Sequence, residues 1–292
     1  VKTKNLFPVF LLLAACGSGQ GCVPKFTDLK KKYPHVIYHG RKLPSEVVLK
    51  DNPPPFWTPI SSIPKQVQGA ILVSEDWAFF QHEGYDEKQI HEAIKESIEA
   101  GKLTRGASTI TQQVVRNLYL SKEKSIGRKV HELWLSTKIE KVVGKQKILE
   151  LYFNIAEMGE GIFGIGEASR KYFQKSPSEL RPKEAAFLAM LLPSPKRYSI
   201  SYAKGELTGY ARRTMRSILN KMVMAHYLTP EERDLEWSTP LGFEKRLDIS
   251  IPAETGPDEE GGEEGDDEKS GTPDGVRDPG NTPTPTQSLQ SS

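Results

Sequence analysis

The stretch Gly106-Ala-Ser108-Thr109-Ile-Thr-Gln112-Gln113-Val-Val-Arg116-Asn117 decides how the rest of the chain is read. Thr109 followed three residues later by Gln112 has the spacing of a capping box, the arrangement that satisfies free N–H groups where a helix begins. A helix start of this kind also presents unpaired N–H groups and the positive end of the helix dipole, a ready place for an anion. Polar Ser108, Gln112 and Gln113 and the cation Arg116 surround that start. One segment thus promises both a structural beginning and an anion-facing surface.

Three more dense blocks lie on either side of it. Upstream stands Glu75-Asp76-Trp-Ala-Phe79-Phe-Gln-His82-Glu-Gly84; downstream stand Arg128-Lys129-Val-His-Glu132 and Lys147-Ile-Leu-Glu150-Leu-Tyr152-Phe-Asn154. Two carboxylates, Glu75 and Glu132, are therefore separated by a polar helix start and a run of cations. That combination suits a sugar hydroxyl that must lose a proton and a phosphate leaving group that must be held. A carboxylate serves as the base when burial raises its pKa toward neutrality. Ile71, Leu72, Val73, Trp77, Phe79 and Phe80 are expected to supply that apolar setting. Taken singly, Glu75 is also readable as a helix-surface acid beside a core aromatic. Glu132 is likewise readable as a surface acid paired with Lys129 or Ser136 at helical spacing. Asp76 has three readings: orienting Glu75 within the substrate site, binding a cation, or capping a turn. His82 is expected to hydrogen-bond within the fold.

From Lys65 onward apolar residues recur with helical period. Ile90, Ala93, Ile94, Ser97 and Ile98 form one stripe; Val130, Leu133, Trp134 and Thr137 form another; Ala211, Met215, Ile218, Leu219 and Met222 form a third. The Ala/Leu-rich run from Lys183 to Leu192 stops at Pro193, an ordinary helix terminator. No alternation of strands and no internal repeat is visible, so the predicted fold is all-α. Residues 23–64, punctuated by Pro53-Pro54-Pro55, Pro59 and Pro64, read as an irregular lead-in with room for a short strand at Val36-Ile37-Tyr38.

The two ends differ from this body. Lys2 and Lys4 precede a short apolar run from Leu6 to Ala15, half the roughly 20 residues that a bilayer span needs. That is the pattern of an export signal over residues 1–15. Leu13-Ala14-Ala15-Cys16 resembles a lipoprotein box in which Cys16 is lipidated; the alternative is an ordinary signal with Cys16 paired to Cys22. Residues 253–292 carry eleven acids and two bases with few apolar side chains, the composition of a disordered tail. Without the two ends, residues 16–252 hold 36 bases against 27 acids, so the net charge of +2 conceals a basic body. Such a surface suits nucleic acid in general, but export points instead to anionic headgroups and pyrophosphate.

Taken together, the ordered blocks resemble the glycosyltransferase family 51 domain. This is the peptidoglycan polymerase module of bifunctional penicillin-binding proteins and of monofunctional transglycosylases. The likeness runs from about Trp57 to about Met222 and is most specific to the monofunctional branch around Asn154-Ile-Ala-Glu157-Met-Gly159. It implies a lysozyme-like helical lobe with a small membrane-facing jaw. The segments would be a signal at 1–15, an anchor and lead-in at 16–56, the glycosyltransferase domain at 57–252 and the tail at 253–292. It implies Glu75 as the base and Glu132 as a second catalytic carboxylate, which positions pyrophosphate, binds Mg²⁺ or another divalent cation, or tunes the nearby cations. Asp76, Ser108, Gln112, Gln113, Arg116, Lys124, Arg128 and Lys129 would contact substrate. Arg116 stands where Lys is usual, and Lys124 where Arg is common. In residues 117–128, Leu118, Tyr119, Leu120 and Ile126 interleave with Lys122, Lys124 and Arg128, as expected of a jaw resting in the headgroup layer. Glu140, Glu150, Tyr152 and Asn154 are implied to be structural.

The implied partners are lipid II, the growing lipid-linked glycan, membrane lipids and penicillin-binding transpeptidases, with no nucleic acid and no organic cofactor. The implied address is a membrane surface facing the periplasm, the inner membrane in preference to the outer. Two rival functions share part of this pattern. A lytic transglycosylase or lysozyme-like enzyme would use the same glutamate but has no need of a pyrophosphate site, and a non-catalytic cell-wall scaffold lipoprotein is separated only by assay.

Overall fold

The computed structural model describes residues 23–40, 43–100, 108–121 and 125–244. Cys16, Cys22, Lys122, Lys124 and the acidic tail lie outside the described residues, as do the expectations attached to them.

Helices dominate. After a 3-10 turn (Phe26–Lys30) and a hairpin of β1 (Tyr33–Ile37) and β2 (Glu46–Lys50) come α1 (Lys65–Glu75), α2 (Glu87–Ala100), α3 (Ile110–Tyr119), α4 (Ile126–Val143) and α5 (Lys145–Ile155). A second small hairpin, β3 (Glu157–Gly159) and β4 (Ile162–Phe163), leads into α6 (Ile165–Phe173) and α7 (Pro182–Leu191). Two short helices, α8 (Pro195–Tyr198) and α9 (Ile200–Lys204), precede α10 (Gly209–Met224) and α11 (Pro230–Ser238). The fold is therefore mostly helical, consistent with the all-α expectation, with two small antiparallel strand pairs beside the helices. In β1–β2, Tyr33 faces Lys50 and Ile37 faces Glu46. The strand read at Val36-Ile37-Tyr38 is the end of β1, and its partner went unseen because Glu46-Val-Val-Leu-Lys50 is too short to show a period of its own.

The core is built around α7, which is apolar on all sides and buried from Lys183 to Leu191, as a helix enclosed by others must be. α1 and α10 pack on α7 and on each other, while α3 lies against α4 and α5. The α10 stripe of Ala211, Met215, Ile218, Leu219 and Met222 is buried in full. The stripe read on α4 is not. Val130 is 58% exposed and Trp134 41% exposed, and the buried face carries Glu132, Leu135, Ser136, Ile139 and Val143. α4 has two apolar faces, and periodicity cannot say which one meets the core. On α2, Ala93 is buried while Ile94 and Ile98 point to solvent.

The lead-in is ordered and docked. Phe26 and Leu29 are buried in the main core, the turn that bears them packs on α4, and the Phe26 ring meets Tyr119 edge-on at 5.6 Å. Leu118, Tyr119 and Leu120 consequently pack, half-buried, against the core. Ile126 alone of those four apolar residues is exposed, at 86%.

Candidate active site

α1 delivers Glu75 as its last residue, and α3 meets it with its first turn. Thr109 caps α3, its hydroxyl oxygen accepting the Gln112 backbone N–H, and donates to the Gly84 carbonyl at 2.7 Å. Gly84 takes φ +95°, and a Cβ there would sit 2.7 Å from the Ser136 backbone, so only glycine lets the loop approach α4 this closely. Asp76 closes the junction from the other side. It is 2% exposed, and its Oδ2 accepts the first N–H of α3, Ile110, at 2.9 Å. Both its oxygens lie 3.0 Å from His82 Nε2. Asp76 therefore caps α3 inside the fold, the third of its three readings.

Held in this way, α3 points two consecutive glutamines at two different centres. Gln113 Nε2 donates to Glu75 Oε2 at 2.8 Å. The Tyr152 hydroxyl lies 3.3 Å from Gln113 Oε1 and 3.5 Å from Glu75 Oε2. Glu75 keeps a solvent-facing edge, yet the protein around its carboxylate is dense. Burial raises its pKa above 4.5, the Gln113 and Tyr152 hydrogen bonds and the Arg116 charge pull it back, and the Asp76 charge pushes it up. Of the apolar setting expected around it, Ile71, Leu72, Val73 and Phe79 are buried, whereas Trp77 and Phe80 are exposed. Tyr152, read as part of the floor, is also a partner of Glu75. Its own pKa is raised well above 10 by burial and by Glu75, so it stays a neutral donor.

Gln112 faces the second centre. Lys129 Nζ is 3.0 Å from Gln112 Oε1, 3.0 Å from Ser108 Oγ and 2.6 Å from Glu132 Oε1. Arg128 Nη1 takes the other Glu132 oxygen at 2.6 Å. Glu132 is fully buried, which rules out a surface acid. Two buried donors beside it, Gln112 Nε2 and Arg128 Nε, find no hydrogen-bond partner in the protein. Buried donors are normally satisfied, so these two stand out among the polar atoms around Glu132. Arg116 is half-buried on α3, close enough to Glu75 to lower its pKa.

Residues 45–223 match the transglycosylase family. This chain belongs to that family. Among curated proteins, a biosynthetic peptidoglycan transglycosylase of Aromatoleum aromaticum is 40% identical over 169 residues, 58% of this chain and 71% of that one. One of Bdellovibrio bacteriovorus is 38% identical over 169 residues, covering 58% and 66%. Penicillin-binding protein 1A of Aquifex aeolicus is 37% identical over 190 residues, 65% of this chain but 26% of its own. The matched region contains every element of the two centres. The matched range thus spans the site from Glu75 on α1 to Tyr152 on α5.

Proposed function

We infer that this chain is a peptidoglycan glycosyltransferase that polymerises lipid II into a β-1,4 glycan strand with release of undecaprenyl pyrophosphate. The observation that carries this reading is the double use of α3. Its first turn holds a carboxylate of raised pKa through Gln113 and, through Gln112, a cluster of the cations Arg128 and Lys129 on buried Glu132. A hydrolase needs the first and not the second.

In this mechanism Glu75 takes the proton from the acceptor 4-hydroxyl as that oxygen attacks the donor anomeric carbon. The attack is in line, so the α-linked pyrophosphate leaves and a β bond forms. Gln113 and Tyr152 orient the carboxylate and keep its second oxygen occupied. The leaving pyrophosphate is stabilised by Arg128 and Lys129, whose side chains keep part of their surface exposed. Preorganised charge of this kind is worth most where water is excluded.

Glu132 does not fit a metal in this arrangement, since each of its oxygens already carries a cation at 2.6 Å. Among the described residues no group of three His, Cys, Asp or Glu side chains is placed to hold an ion. Glu132 therefore serves to hold two cations in place.

The same reading sets the protein on a membrane, where its substrate resides. Ile126, Val130 and Trp134 repeat at i, i+4 and i+8 and form one exposed apolar edge along the start of α4, the pattern of a helix face dipping into an interface. Among the described residues no helix is long and apolar enough to cross a bilayer. Lipidation at Cys16 and a periplasm-facing address belong to the same proposal. Replacing Val130 and Trp134 by Ser should lower co-sedimentation with lipid vesicles while leaving the melting temperature unchanged; undiminished binding would reject this face. For the activity itself, the purified chain is incubated with labelled lipid II, and polymer that lysozyme digests is the expected product.

A further inference from the structure

A second polar chain runs behind the base, and no step above uses it. Its first link is the Asp76–His82 pair already described. On the far side of the imidazole, Lys145 Nζ lies 3.4 Å from His82 Nδ1 and 2.6 Å from Glu140 Oε1. The same Glu140 oxygen accepts Thr111 Oγ1 at 2.6 Å, which returns the chain to α3. The ammonium also sits 4.4 Å from the centre of the Phe79 ring, a fully buried side chain. Lys145 is thus fixed by an anion, an aromatic face and an imidazole nitrogen.

The proton positions follow from the donor inventory. An ammonium only donates, so His82 Nδ1 is the acceptor and the ring proton is on Nε2, aimed at Asp76. A neutral ring in this tautomer leaves Asp76 with its full negative charge. Beyond the ring, His82 lines a polar cleft with Glu83, Asp86, Glu87, Lys88 and Lys141, while its two nitrogens face Asp76 and Lys145.

We propose that Lys145 is a positioning residue for the reaction: by donating to Nδ1 it holds His82 neutral as the Nε2–H tautomer. Asp76 then clamps α3 to the end of α1 as a full anion and sets the placement and charge environment of Glu75. The proposal rests on the reading of Glu75 as the base. Two observations connect it to that carboxylate. Asp76 grips the first N–H of the helix whose Gln113 touches Glu75, and the Asp76 charge is among the causes that raise the Glu75 pKa, against the opposing Arg116.

Lys145→Met removes the donor to Nδ1, leaving the imidazole open to a second proton that would neutralise Asp76. Glu75 would then give up its proton more readily and sit in a looser frame. The expected result is a kcat lower by roughly ten- to a hundredfold, an unchanged KM for lipid II, and an acidic limb of the pH–rate profile displaced to lower pH. Lys145→Arg should recover most of the rate. A readout independent of turnover is the ¹⁵N spectrum of the histidine rings in the full chain, with His82 assigned by loss of its signals in His82→Asn. A neutral Nε2–H ring at neutral pH in the unmutated chain, lost in Lys145→Met, supports the proposal. An Nδ1–H or doubly protonated ring in the unmutated chain overturns it, as does a folded Lys145→Met with the original pH profile. The ring measurement needs no variant of Lys145 to fold and no polymerisation, so failure of the proposed function is seen separately.

Discussion

Glu132→Gln is the perturbation whose consequences the structure specifies most fully. The carboxylate is wholly buried and bridges Arg128 and Lys129, each at 2.6 Å. Removing one partner of a buried ion pair typically costs about 3–5 kcal/mol, because the other charge is stranded. Here the stranded cations retain 18% and 38% of their side-chain surface, and water recovers part of that loss, leaving about 2–3 kcal/mol. At roughly 2–4 °C per kcal/mol for a domain of this size, the melting temperature should fall by about 4–12 °C. Polymerisation should fall more steeply than stability, since Lys129 loses the anion that aims it at Ser108 and Gln112. Thermal melts followed by circular dichroism and lipid II turnover on the same sample give both numbers. An unaltered melting temperature with unaltered turnover would refute the role assigned to Glu132. Recovery of activity by raised Mg²⁺ would refute it differently, by placing a metal where two cations are described.

Two further outcomes follow from the same geometry. The folded-state pKa of Glu75 lies above 4.5, so the folded chain keeps a proton that the unfolded chain loses, and its stability drops as pH rises through that raised value. Glu75→Gln does not titrate and should melt higher than the unmutated chain at neutral pH, with the difference vanishing below pH 4.5; a gap that persists in acid would contradict the burial argument. Gly84→Ala forces a Cβ against the Ser136 backbone at a φ of +95° and should cost about 2–4 kcal/mol in chemical denaturation; a loss below about 1 kcal/mol would mean that the loop relaxes freely.

Much of the site is legible in the sequence because its chemistry is local. Thr109 to Gln112 is one helical turn, and a cap, an anion-facing start and a pair of adjacent glutamines can all be seen within it. The cations and Glu132 share one turn of α4 in the same way. What escaped is set by tertiary packing. The exposure of Val130 and Trp134 depends on which of two apolar faces of α4 meets α3. The docking of Phe26 on Tyr119 joins segments ninety-three positions apart by subtraction, with no periodic signal in either. Adjacent in sequence, Glu75 and Asp76 take different partners, Gln113 and Tyr152 for the first and Ile110 N–H and His82 for the second, which only the fold reveals. Lys145 and His82 lie sixty-three positions apart, and only the fold brings them together.

The central claim is that Glu75 is the base of a lipid II polymerase, and one comparison tests it most directly. The unmutated chain and Glu75→Gln, both shown to be folded by circular dichroism, are incubated with labelled lipid II and the products resolved before and after lysozyme digestion. The unmutated chain should give lysozyme-sensitive polymer, and the variant should fall by about 10²–10⁴-fold, the usual contribution of a general base. Polymer formed at the unmutated rate by Glu75→Gln would contradict the account.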